Sequence, residues 1–250
     1  MNLDLNSLLD DWSHEPGQIK VRKILGKDGA WKIQLRIDLG LIQMEMDGRP
    51  DGLRPHDCES LLEWQKKCAE EAEENGTPFF LSPEECAQLQ HEGVQYYHRY
   101  LSLFQLNEYG AVIRDTTRNL EMIDFVEEYA EESDSSWAFL QFRPYVLMMQ
   151  TRAVASIFLT KLDFPGAIKA IEDGCEKIED FLVTLDNPEL VENSSELSFL
   201  REWAKEIQSN QPLGPLEKMH LEMKQAIERE EYERAATLRD EIRQFEQSTK

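Results

Sequence analysis

Towards its C-terminal end the chain sets an apolar side chain at every third or fourth position, and it does so twice with a short polar break between. Leu216, Met219, Met223 and Ile227 form the first stripe, and Ala235, Leu238, Ile242 and Phe245 form the second. That spacing puts each set on one face of a helix. The intervening Arg229-Glu230-Glu231 suits only a tight connection, so the two helices are expected to fold back as an antiparallel hairpin. Small Ala235 and Ala236 let the backbones approach, and Tyr232 can cover the closed end. Two helices alone cannot bury a face this apolar. The stripes therefore predict a third surface, supplied by another molecule in the helix-in-groove manner or by the rest of the chain.

The run Met223, Ala226-Ile227, Glu231-Tyr232-Glu233, Ala235-Ala236, Leu238-Arg239-Asp240 and Ile242 resembles the UVR motif. That motif is found in the excision-repair proteins UvrB and UvrC and in regulators of Clp-type proteases and of bacterial arginine kinases. The resemblance covers about the last seventh of the chain. It implies a helical hairpin that binds another hairpin, a partner's or a second copy's, to complete a four-helix bundle. On that reading Met223, Ile227, Tyr232, Ala235, Ala236, Leu238 and Ile242 carry the contact, with Arg239 and Asp240 as polar clamps at the seam. The arginine-kinase regulators hold zinc through cysteine pairs, which this chain lacks, so that role does not transfer.

A length of 250 residues suits one large domain or two modest ones. With 41% hydrophobic and 30% charged residues, the chain is expected to be built mostly of amphipathic helices. Its net charge of −22 repels polyanions, which disfavours direct DNA binding. Cys58, Cys68, Cys86 and Cys175 form no C-x-x-C pair, so neither a zinc site nor a disulfide framework is expected. The acidic N-terminal MNLDLNSLLDDW is unlike a basic signal-peptide start, and no apolar run reaches the roughly 20 residues of a membrane span. A cytoplasmic protein without membrane contact is the expectation.

Leu3, Leu5, Leu8, Leu9 and Trp12 suggest a short amphipathic helix or docking arm, ended by Pro16-Gly17. From Gln18 to Met46 the period changes to two. Ile19 and Val21, then Trp31, Ile33, Leu35 and Ile37, alternate with polar residues, and turns at Gly26–Gly29 and Asp38–Gly40 make a three-stranded antiparallel meander. Between Gln18 and Ile37 six basic residues face the single acid Asp28, a net of +5. Lys20, Arg22, Lys32 and Arg36 share one alternation phase and should form a basic face. Such a face could meet an acidic partner, a nucleic acid or the protein's own acidic helices, or simply keep the sheet soluble. The dense Gly48-Arg49-Pro50-Asp51-Gly52 loop reads as a turn leaving the sheet.

Beyond Asp57 every signal is helical. One helix is expected from about Asp57 to Glu74. A second starts at the capping box of Ser82-Pro83-Glu84-Glu85 and turns Leu89, Gly93, Tyr97, Leu101 and Phe104 inward. A third runs from about Tyr109 to Glu132 and stops at Ser133-Asp134-Ser135-Ser136. The most apolar segment, Trp137 to Leu162, is the candidate central helix, divided or begun by Pro144. Phe164-Pro165-Gly166-Ala167 resembles the second half of a tetratricopeptide unit, although no 34-residue period accompanies it. A last body helix, from about Ser194 to Gln208, leads into a Pro/Gly-rich linker.

No catalytic constellation assembles. Gly26-Lys27 lacks the rest of a phosphate loop, and no G-x-S-x-G or H-E-x-x-H is present. The lone Glu217-x-x-His220 would need a second copy and two further glutamates to hold metals. His91 and His98 share a helix face without a third ligand. The expected architecture is mainly α with a small N-terminal antiparallel β-meander (1–54), a helical-hairpin, tetratricopeptide-like body (55–209), a linker (210–215) and a UVR-type hairpin (216–250). The expected function is a non-enzymatic adaptor or regulator without cofactor or metal. Its partner would be a UVR-containing or Clp- or Uvr-type protein, or a second copy. The alternative is an accessory of excision repair that touches nucleic acid through Lys20, Arg22, Lys32 and Arg36.

Overall fold

The computed structural model describes residues 5–210, 219, 222–225 and 232–248. It divides into two compact units, the boundary falling between Ala204 and Lys205. The expected linker past Asn210, together with Leu3, Leu216 and Ile227, lies outside the described residues.

The first unit opens with α1 (Asn6–Leu9) and a meander of β1 (Lys20–Leu25), β2 (Trp31–Ile37) and β3 (Gly40–Glu45), antiparallel in that order. Register runs from Lys20 opposite Arg36 to Leu25 opposite Trp31, and from Lys32 opposite Glu45 to Ile37 opposite Gly40. The period of two thus does what it predicts. Ile33, Leu35 and Met44 are buried on one face, which packs on the second helix of the body, while Lys20, Arg22, Lys32 and Arg36 share the other. Gly29, at positive φ, closes the first turn, where the Gly26 N–H donates to the Ala30 carbonyl at 2.7 Å.

The body follows as α2 (Leu61–Glu74), α3 (Pro83–Gln105), α4 (Tyr109–Tyr129), α5 (Ser133–Leu140), α6 (Arg143–Thr160), α7 (Phe164–Thr184), α8 (Pro188–Glu192) and α9 (Ser195–Asn210). The Ser82 capping box forms with both of its hydrogen bonds. Pro144 sits in the first turn of α6, whose consecutive Val146, Leu147, Met148 and Met149 are all buried. This helix packs on α4 and α7. Its approach to α7 is close at Gly174, where a Cβ would stand 2.1 Å from Thr151 Oγ1 and 2.8 Å from Thr151 Cβ. No described helix is long and apolar enough to cross a membrane.

Three expectations are corrected. The helix expected from Asp57 starts at Leu61, because His56 and Asp57 take positive φ in a single 3-10 turn and Ser60, the N-cap, accepts from the Glu63 N–H. The helix expected to reach Glu132 stops at Tyr129, where Ala130 turns extended and pairs with Leu81. Ser133–Ser136, read as a stop, instead opens α5. Thirdly, the inward face of α3 is Leu89, Glu92, Gly93, Tyr96, Arg99, Tyr100 and Leu103, with Tyr97, Leu101 and Phe104 only half-buried.

Helix ends α3 and α6 are closed by left-handed Asn107 and Leu162 rather than by glycine. The following Glu108 and Asp163 N–H groups reach back to the Leu103 and Phe158 carbonyls at 2.9 and 3.0 Å. All four cysteines are free. Cys58, Cys86 and Cys175 are buried and Cys68 is half-buried. Burial pushes the thiols of Cys68, Cys86 and Cys175 up.

In the second unit, α10 (Tyr232–Ser248) follows residues 222–225, which are also helical. Arg234 and Glu222 face each other at 3.7 Å, as an antiparallel pair of arms requires.

Candidate functional site

Along α10 the apolar stripe sorts the side chains as a period of 3.6 demands. Leu238 and Ile242, one turn apart, are 8% and 5% exposed, while Thr237, Arg239, Asp240, Glu241 and Arg243 face solvent. These two positions of the stripe are therefore covered. Tyr232 is different: the side chain at the start of α10 is 67% exposed, an amphipathic ring left in water. Met223 is half-buried. Ala235 and Ala236 fall within α10, though their side chains, like Ile227, lie outside the description.

Arg239 and Asp240 pair with each other, Nη2 to Oδ1 at 2.9 Å, and both are exposed. Adjacent residues joined in water contribute little to stability. They stand on the outer side of α10, not at the Leu238/Ile242 seam, and are available to a partner there.

The basic sheet face is assembled as the alternation predicts, but it is covered. Lys20 Nζ donates to the Ser13 carbonyl at 2.6 Å, Arg22 Nη2 to the Leu8 carbonyl at 3.4 Å and Arg36 Nε to the Trp12 carbonyl at 3.4 Å. The Arg22 guanidinium lies 4.0 Å from the Trp12 ring centroid. Gln34, at the centre of the face, is buried between Arg22 and Gln43. Lys32 pairs with Glu45 and, at 3.0 Å, with Asp28. These two contacts, Glu45 first, raise its pKa. Nucleic-acid contact through Lys20, Arg22 and Arg36 would first require residues 8–14 to leave, and contact through Lys32 would require its release from Glu45 and Asp28.

The sequence reading missed a buried charge cluster between the sheet, α2, α3 and α4. Arg99 grips Asp115 with two hydrogen bonds, 2.6 and 2.8 Å, and donates from Nη1 to the Glu45 and Gly48 carbonyls. Glu92, fully buried, accepts from the Leu61 and Leu62 N–H groups at 2.7 and 3.2 Å and pairs with Arg49 and Arg118. Tyr96 lies between, its ring under both the Arg99 and Arg118 guanidiniums. The Gly48–Gly52 loop, read as a simple turn, is thereby fastened to α3 and α4. Its signal was present: Leu89, Glu92, Tyr96, Arg99 and Leu103 keep a three-four spacing, as do Val112, Asp115, Asn119, Met122 and Val126.

An apolar cleft of about 510 Å³ opens among α3, α4, α5 and α6, walled by Tyr97, Tyr100, Met122, Phe139 and Tyr145, with Glu196 as its one charged side chain. Burial pushes the Tyr145 phenol up to about 12. His91 is exposed and His98, on the same helix, is half-buried, with burial holding its pKa down.

Comparison with known families matches residues 215–248 to the UvrB/uvrC motif, a motif generally involved in protein–protein interaction. The UVR resemblance read from Met223 to Ile242 is thus shown. Comparisons with curated proteins and with solved structures returned no match for the chain.

Proposed function

We propose that the protein is a non-enzymatic adaptor that holds a partner protein through its C-terminal hairpin. The observation that carries this reading is the position of Tyr232: a large aromatic, 67% exposed, within the stretch that matches an interaction motif. Arg239 and Asp240, also exposed on α10, supply directional contacts. Leu238 and Ile242 hold the helix in place, so their exchange for charge would damage the hairpin before it tested recognition. The partner is a protein with a hairpin of the same type, UvrB- or UvrC-like or a Clp regulator, or a second copy of this chain.

The test uses the intact chain and its Tyr232→Ala/Arg239→Glu variant, each cross-linked in the same cell extract. Proteins joined to residues 216–250 are then identified. Recovery of hairpin-bearing partners should fall about tenfold or more in the variant, the scale of one lost aromatic anchor, with helix content by circular dichroism unchanged. Equal recovery by both chains would overturn the reading.

A further inference from the structure

One face of the sheet packs on α3; the other is closed by the chain's own residues 8–14. In a protein with 49 acidic residues, any cation should find a carboxylate. Among the described residues, Lys20, Arg22 and Arg36 have none within 4 Å. Their partners are the backbone carbonyls of Leu8, Trp12, Ser13, Ile37, Asp38 and Gly40, the Ser13 hydroxyl, the Gln34 side-chain amide and the Trp12 indole. Neutral carbonyls satisfy hydrogen bonds without cancelling charge, so the face stays cationic beneath its cover. The fourth cation, Lys32, differs in being neutralised by Glu45 and Asp28.

The covering arm has the opposite character. Asp10, Asp11 and Glu15 are exposed on it, alongside Trp12, half-buried against Arg22, and half-buried Leu9. Beyond these contacts it is held at His14, which meets Asp38 at 3.0 Å, and at its start it is loose. Helix α1 has only four residues and no side-chain cap, and Leu5 and Leu8 remain 46% and 49% exposed. Gly17, at φ +83°, provides a pivot just before β1. A segment with so little buried apolar surface belongs to the part of a fold that opens most readily.

We infer that this sheet face is a binding surface for an acidic, tryptophan-bearing peptide segment of a partner protein, and that residues 5–14 occupy it in cis as a competitor. The arm shows the chemistry that fits: carbonyls for Lys20, Arg22 and Arg36, an indole to lie against Arg22, and outward acids drawn by the face's charge. A nucleic acid fits less well, because a polyanion long enough to gain from three cations must also approach a body of strongly negative charge. The inference stands apart from the hairpin reading, since no residue is shared between the two.

The experiment titrates a fluorescent peptide of residues 5–18, LNSLLDDWSHEPGQ, into three full-length chains: wild type, the arm-release variant Leu9→Ser/Trp12→Ala, and that variant carrying also Arg22→Gln and Arg36→Gln. The glutamines keep the aliphatic stems over the sheet. The peptide should bind the release variant at least about tenfold more tightly than wild type and should lose that gain when the arginines are replaced. Circular dichroism and thermal unfolding confirm that the release variant is folded. Absence of binding to that folded variant, or equal binding to it and wild type, would overturn the inference. So would a 20-base-pair duplex that binds the release variant more tightly than the peptide does. Sedimentation showing that the intact chain forms dimers, lost with Trp12→Ala, would assign the face to a second copy's arm instead and overturn the partner-segment reading.

Discussion

Glu92→Ala should destabilise the first unit by about 3–5 kcal/mol, the cost of leaving buried charge without its counter-charge. Glu92 is fully buried and serves four groups at once: the Leu61 and Leu62 N–H groups that begin α2, and the Arg49 and Arg118 guanidiniums. Its removal leaves the Leu61 and Leu62 N–H groups without an acceptor and takes the buried counter-charge from Arg118 and from Arg49, which keeps only Asp51 at 3.4 Å. Burial and the neighbouring Arg49 charge both disfavour the charged Arg118 guanidinium, so its carboxylate partner is what balances it there. For a domain of about 200 residues the thermal midpoint should drop by roughly 6–20 °C. Glu92→Gln keeps an acceptor for the N–H groups while removing the charge, and should fall between wild type and Glu92→Ala. A midpoint for Glu92→Ala within about two degrees of wild type would show that solvent reaches the cluster and that the ion pairs are incidental.

The Arg99–Asp115 pair separates stability from loop placement. Both side chains are about 1% exposed, and the contact is bidentate. Asp115→Leu alone should cost about 3–5 kcal/mol, because it leaves Arg99 a buried charge without counter-charge, and Arg99→Met alone somewhat less, because Arg114 Nε still pairs with Asp115 at 3.0 Å. The double variant should recover most of that loss, since apolar side chains of similar size often replace a buried pair at little cost. Arg99 Nη1 also holds the Glu45 and Gly48 carbonyls at 3.2 and 2.8 Å, and methionine cannot. Hydrogen exchange across residues 46–52 should therefore quicken in the double variant even where its melting is restored. Additive losses in the two single variants, with no recovery on combining them, would show that the pair contributes by packing alone.

How far the sequence could be read depended on which physical signal each segment carried. The meander was legible because polar and apolar side chains alternate along its strands, and Ile33 and Leu35 stand on the face opposite Lys32, Gln34 and Arg36, although Gln34 too is buried. The α3 start was legible because Ser82, Pro83 and Glu85 each satisfy a separate requirement of a helix N-terminus. Helix ends were harder. Asn107 and Leu162 take the left-handed conformation that a glycine usually marks, and Ser133–Ser136 has a composition that suits a stop and a start equally.

The inward face of α3 was misplaced for a different reason. A rule that assigns charge to solvent cannot place Glu92 and Arg99 in a core, although both sit in the three-four rhythm of their apolar neighbours. Only the matching Asp115 in the same rhythm on α4 signals that the charges are paired. At the hairpin, spacing set Leu238 and Ile242 on one stripe, but it could not say what fills the stripe. The basic face was drawn correctly from alternation, whereas its cover was not foreseen, because backbone carbonyls leave no trace in the identity of a side chain.

The four free cysteines give the first unit a set of chemical clocks. Alkylating reagents attack the thiolate, and burial disfavours that form at Cys68, Cys86 and Cys175. Cys58 lies ahead of α2, Cys68 within it, Cys86 in α3 and Cys175 in α7, so the four sample separate elements. Maleimide uptake by the native chain is then gated by local opening, and the order in which the thiols become reactive records which element loosens first.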